Sequence, residues 1–166
     1  MKFVKNLFWR VLCYFFTKKT VITTKNFSRI LVVSTTGLGD SLRGTPMIAA
    51  LKKRYPFAKI DLLTSPVGKE VFSYNPHINE TLLVTKNSWW QFFYLRTILA
   101  KKGYDTACIF HSSQRFIPPL LKAAGIPKIV GTLEQQKGMD PLLTDLSVDG
   151  LHELNRRELI LEKLNC

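Results

Sequence analysis

From Arg29 onward the chain alternates short, almost unbroken apolar runs with segments of helical periodicity, and no other feature limits its fold so strongly. The runs Arg29–Ser34, Lys59–Ser65, Thr81–Lys86, Asp105–His111 and Pro127–Gly131 have the length of strands buried on both faces. Between them, helices are expected over Pro46–Tyr55, Pro66–Tyr74, Trp89–Lys102 and Arg115–Ala124. Pro46 stands in the first turn of its helix, Ser88 caps the third, and Gly103 and Gly125 end the last two. Residues 132–150 are expected to be mostly loop, with a closing helix over Leu151–Leu164. Strand–helix alternation with continuously apolar strands predicts an α/β domain, a parallel sheet with helices on both faces. Ligands of such sheets bind at the carboxyl ends of the strands, which selects the loops 34–45, 65–69 and 111–115.

The chain has 166 residues, 46% of them hydrophobic and 22% charged, which suits one domain with a real core. The expected division is a leader over 1–27 and a Rossmann-like domain over 28–166. Residues 1–27 carry six Lys or Arg and no acid, half of the net +12. Within the leader, apolar pairs at 3/4, 7/8, 11/12 and 15/16 draw a stripe along an amphipathic helix. Arg10 interrupts it, and it is shorter than the roughly 20 apolar residues of a spanning helix. No signal-peptide cleavage pattern follows it. Lys2, Lys5, Trp9, Arg10, Phe15, Phe16, Lys18 and Lys19 are therefore candidates for contact with an anionic membrane surface. The alternative is an ordinary helix packed on the domain or on a second copy. Nucleic acid has only the net charge in its favour, without a recognition motif. Cys13, Cys108 and Cys166 are too few and too far apart for a disulfide framework or a metal site.

The loop after the first strand carries most of the chemistry: Ser34-Thr35-Thr36-Gly37-Leu38-Gly39-Asp40-Ser41-Leu42-Arg43-Gly44-Thr45-Pro46. Its glycines let the backbone turn tightly and approach a ligand. Leu42 stands where a dinucleotide fingerprint needs its third glycine, and no Gly-Lys-Ser/Thr completes a phosphate loop. Asp40 opposes phosphate binding. It suits a site where a carboxylate removes the proton of a hydroxyl that attacks. The other reading makes Asp40 a plain helix cap, and the loop alone does not decide between them.

The order of several motifs resembles glycosyltransferase family 9, the lipopolysaccharide heptosyltransferases and their relatives. The first strand and Gly-Asp loop are followed by Ala-Leu-Lys-Lys-Arg-Tyr-Pro (50–56) and Ile-Asp-Leu-Leu-Thr (60–64). Then come Asn-Pro-His-Ile-Asn-Glu (75–80), Lys-Lys-Gly-Tyr-Asp (101–105), His-Ser-Ser-Gln-Arg (111–115), Ala-Gly-Ile-Pro-Lys-Ile-Val-Gly (124–131) and His152-Glu153. The resemblance covers roughly residues 29–164.

It implies the N-terminal half of a GT-B fold, which holds a lipid-linked saccharide acceptor. A second domain, which holds a nucleotide sugar such as ADP-heptose, completes the enzyme. The implied transfer is inverting and uses no metal or cofactor. Asp40 matches the aspartate held to be the catalytic base, and Thr35, Thr36, Gly37 and Gly39 shape its loop. Arg43, His111, Ser113 and Arg115 fall where acceptor contacts are expected. The chain is expected to stop before the second domain, so activity would need a separate chain carrying the nucleotide-sugar site. A bare domain face would otherwise invite self-association. The implied location is cytoplasmic, on the inner face of the cytoplasmic membrane. The competing reading is a non-catalytic membrane-associated binding or assembly protein, or an inactive remnant that keeps the fold.

Overall fold

The computed structural model describes residues 26–85, 89–112, 114–132, 139, 142–147, 160 and 162–164. The expected leader helix, Ser88, Ser113 and most of the closing helix lie outside the described residues.

Six strands form one sheet: β1 (Arg29–Ser34), β2 (Lys59–Thr64), β3 (Glu80–Leu83), β4 (Thr106–His111), β5 (Lys128–Thr132) and β6 (Asp145–Ser147). Four helices connect them: α1 (Leu38–Arg54), α2 (Pro66–Phe72), α3 (Trp89–Lys102) and α4 (Ile117–Ala123). The order across the sheet is β3-β2-β1-β4-β5-β6, and every pairing is parallel. The fold is therefore the expected Rossmann-like α/β sheet, with β3 and β6 outermost among the described strands. The chain reverses its direction of travel between β1 and β4, which opens a crevice at their carboxyl ends.

The central strands are apolar throughout because both of their faces are covered. Along β1, Ile30 and Val32 join Met47, Ile48, Leu51 and Phe72 beneath α1 and α2, while Leu31 and Val33 join Phe92, Leu95, Leu99 and Leu120 beneath α3 and α4. Cys108 is a buried strand residue of the first cluster. Phe27 is also buried there, edge-on to Tyr55 at 5.3 Å, so the packed core begins within the segment read as leader. Ile160 and Leu164 close the same cluster, and Tyr55 Oη donates to the Leu164 carbonyl.

A polar clasp ties the amino ends of the strands together. Asp105 Oδ2 accepts from the backbone N–H of Ser28 at 2.7 Å and of Arg29 at 2.9 Å. Buried Asp61 accepts from Tyr104 Oη at 2.7 Å and lies 3.4 Å from Lys102 Nζ, which also bonds Glu80. Asn79 Oδ1 accepts from the Ile60 N–H at 2.9 Å. Burial first, then the bond to Asp61, pushes the Tyr104 phenol above its usual range. The bond to Glu80 raises the Lys102 ammonium, against a smaller opposing effect of burial.

Two expectations need correction. The first helix begins at Leu38, not Pro46, which lies inside it. Proline there leaves the Leu42 carbonyl without its helical donor, and exposed Leu42 leaves that group open to water. The stretch 132–150 also holds a strand, β6, paired with β5 from Val130↔Asp145 to Thr132↔Ser147. Gly103 and Gly125 do follow their helices, at φ +62° and +81°, which other residues adopt only with strain.

Candidate functional site

The crevice between β1 and β4 is built from the three loops that the sequence selects. Thr35 N–H donates to the His111 carbonyl at 3.0 Å, and Thr35 Oγ1 to Ser112 Oγ at 3.3 Å. Ser112 Oγ in turn donates to the Gln114 carbonyl at 3.1 Å and accepts from the Gln114 N–H at 3.3 Å. On the other flank Ser65 Oγ donates to the Thr36 carbonyl at 3.1 Å and accepts from Gly68 N–H, capping α2. Thr64 Oγ1 donates to the Ser34 carbonyl at 2.6 Å. The loop after β1 is thus held from both sides.

Gly37 is the N-cap of α1 in extended conformation, without a side-chain cap bond, and Asp40 lies in the first turn. Asp40 is therefore not the cap, and the cap reading does not account for it. Its charge sits where the helix dipole favours an anion. Asp40 Oδ2 lies 3.8 Å from Nε2 of His111, the last residue of β4, and the two side chains are 27% and 29% exposed. A break in register sets His111 there: Val33 pairs with Ile109, yet Ser34 pairs with His111, so β4 carries one extra residue at its end.

Neither Gly37 nor Gly39 has a positive φ, so the tight-turn argument for them fails. A Cβ on either would meet no protein atom within 4 Å. What glycine leaves here is open room beside the backbone, next to the Asp40 carboxylate. By contrast a Cβ on Gly68 would lie 2.0 Å from Thr64 Oγ1, so that glycine is required by packing alone.

In the segments that form the crevice the buried atoms Ser34 Oγ, Thr36 Oγ1 and Gln114 Oε1 have no hydrogen-bond partner among the described residues. Buried polar atoms are seldom left so. Asp40 and Gln114 Oε1 call for donors, and the two hydroxyls can donate or accept.

Of the other residues singled out from sequence, Arg43 is exposed one helical turn beyond Asp40, and Arg115 is half-buried in the turn into α4. Ser113 lies outside the described residues. Sequence reasoning missed Ser34, Ser65, Ser112 and Gln114. Ser65 was legible from its place before Pro66, as a cap followed by proline at the start of a helix. Among the described residues no group of three or more His, Cys, Asp or Glu could hold a metal ion. No helix of the described residues is long and apolar enough to cross a membrane.

No protein-family model matches the chain. The curated lipopolysaccharide heptosyltransferase 3 of Escherichia coli is 40% identical over 74 residues, 40% of this chain and 22% of that protein. Among solved structures, E. coli ADP-heptose lipopolysaccharide heptosyltransferase II matches with a TM-score of 0.61 and 24% identity, over 80% of this chain and 40% of that one. A glycosyltransferase family 9 protein of Veillonella parvula gives 0.68 and 21%, over 89% and 43%. E. coli heptosyltransferase WaaC, with an ADP-heptose analogue, gives 0.68 and 18%, over 82% and 48%. The chain thus spans less than half the length of each of these proteins. In sequence over that stretch, and in fold over most of its length, the chain resembles the heptosyltransferases of glycosyltransferase family 9.

Proposed function

We propose that this chain is the acceptor-binding part of a sugar transferase of the heptosyltransferase kind. In this reading a lipid-linked core saccharide enters the crevice between β1 and β4, with one hydroxyl against Asp40. Asp40 takes that hydroxyl's proton as its oxygen attacks the anomeric carbon of a nucleotide sugar, ADP-heptose by resemblance, and the nucleoside diphosphate leaves. A nucleotide-sugar-binding domain meets the same edge of the sheet from a different polypeptide or a different part of the same one. Cytoplasmic location at the inner membrane follows from a lipid-linked acceptor. Arg43, Ser113 and Arg115 remain the candidates for holding the acceptor's anionic groups.

The observation that carries this reading is Asp40 itself. It is not a cap, it faces His111 at the switch point of the sheet, and the glycines beside it leave room for a ligand. The test is calorimetric titration of the chain with a de-acylated core saccharide, followed by transfer from ADP-heptose once a nucleotide-sugar-binding domain is added. Saccharide binding, with transfer that Asp40→Asn abolishes, is the expected result. Binding without transfer returns the chain to the non-catalytic alternative, and no binding removes the acceptor role.

A further inference from the structure

Helix α3 is apolar on two opposite sides. Phe92, Leu95 and Leu99 bury one side against the sheet. The other side carries Trp90, 86% exposed, Phe93, 47%, and Tyr94, 66%, with exposed Thr97 and Lys101 following at helical spacing. A surface helix ordinarily turns a polar face outward, so an outer aromatic stripe calls for a covering surface.

The charge of the surrounding layer says which. Helices α3 and α4, which cover this side of the sheet, carry Arg96, Lys101, Lys102 and Lys122 and no acid. Residues 134–166 are acidic instead, with seven Asp or Glu against four Lys or Arg. Within the layer Lys102 is neutralised by Glu80 and Asp61, and Arg96 Nε donates to the Ala123 carbonyl at 3.1 Å. Exposed Lys101 and half-buried Lys122 remain as cations on the outer surface. Trp and Tyr beside Lys, without acids, is the composition of a surface that sits at the headgroup level of an anionic bilayer.

We infer that the outer face of α3, with Trp90, Phe93 and Tyr94 as the inserting side chains, docks on an anionic lipid surface. The aromatic rings enter the boundary between headgroups and acyl chains, and Lys101 and Lys122 meet lipid phosphates. Trp90 lies in the first turn of α3, which starts at the carboxyl edge of the sheet, so this contact holds the Asp40 crevice close to the membrane. The inference is independent of any chemistry at Asp40.

The test is sedimentation of the full chain with vesicles of phosphatidylethanolamine and phosphatidylglycerol, and with vesicles of phosphatidylcholine alone. The comparison protein carries Trp90→Ser, Phe93→Ser and Tyr94→Ser together. It keeps the basic leader, so any loss reports on α3, and an unchanged melting temperature certifies its fold. We expect the wild-type chain to prefer the anionic vesicles at least tenfold, and the triple variant to bind them at least tenfold more weakly. Equal binding by the two proteins, or equal binding to the two vesicle types, overturns the inference. So does a wild-type dimer that the triple substitution converts to monomers, which would give the face to a second copy of the chain.

Discussion

Asp40 Oδ2 and His111 Nε2 face each other at 3.8 Å across the point where the sheet reverses its winding. One belongs to the first turn of α1, the other ends β4, and 71 residues of chain separate them. Two elements that pack for their own reasons therefore bring an acid and an imidazole together at the edge where ligands of such sheets bind.

Asp40→Asn separates the chemical role from the structural one. The carboxylate contributes about 0.3–1 kcal/mol through the helix dipole, and the amide forgoes that. Urea unfolding is expected to show a loss no larger than this. Sugar transfer in the completed enzyme is expected to fall by roughly 10²–10⁴-fold, as for other lost acid–base groups. Wild-type rates in this variant would end the proposed role.

The glycines offer an opposed pair of substitutions. Gly39→Ala adds a Cβ in open space within a helix, so it is expected to stabilise the domain by about 0.5–1 kcal/mol. The same methyl group fills the room beside Asp40, so saccharide affinity is expected to fall in calorimetry. Gly68→Ala drives a Cβ to 2.0 Å from Thr64 Oγ1 and is expected to destabilise by about 1–3 kcal/mol.

Tyr104→Phe removes the 2.7 Å donor to buried Asp61. A loss of about 1–3 kcal/mol is expected in urea unfolding, because a buried acceptor loses a partner. Asp105→Ala takes the acceptor from the Ser28 and Arg29 amides at the start of β1 and is expected to cost a similar amount.

The clasp also fixes how stability changes with pH at the alkaline end. Tyr104 and Lys102 both have folded-state pKa values raised above their ordinary 10.0 and 10.5. Their contributions are therefore complete below those ordinary values and are lost as pH rises beyond them. Denaturation midpoints are expected to hold through pH 9 and to fall above pH 10, less so in Tyr104→Phe. Absorbance at 295 nm is expected to show the Tyr104 phenolate only as the protein unfolds.

The strands were legible because both faces of the sheet are covered, which makes runs such as Ile-Leu-Val-Val (30–33) continuous. The start of α1 was not. Gly37, Gly39, Gly44 and Pro46 all speak against helix locally, yet burial of Ser41, Gly44, Met47 and Ile48 on one side carries the helix back to Leu38. Strand β6 was hidden because Asp145-Leu146-Ser147 has neither length nor apolar character, and only pairing with β5 makes it a strand. The motif residues also divide in a way that their order could not reveal. Asn79, Glu80, Lys102, Tyr104 and Asp105 serve the clasp at the amino ends, while Thr35, Thr36, Asp40 and His111 surround the crevice at the carboxyl ends.

The shortness of β3, outermost among the described strands on its side, bears on how the protein survives at high concentration. A foreign strand that tries to extend the sheet at β3 finds four residues of ladder. Glu80, the first residue of that ladder, is charged and half exposed. So little backbone, carrying charge, templates fibril growth poorly. A parallel sheet, whose pairings form late in folding, thereby avoids recruiting its neighbours while it waits.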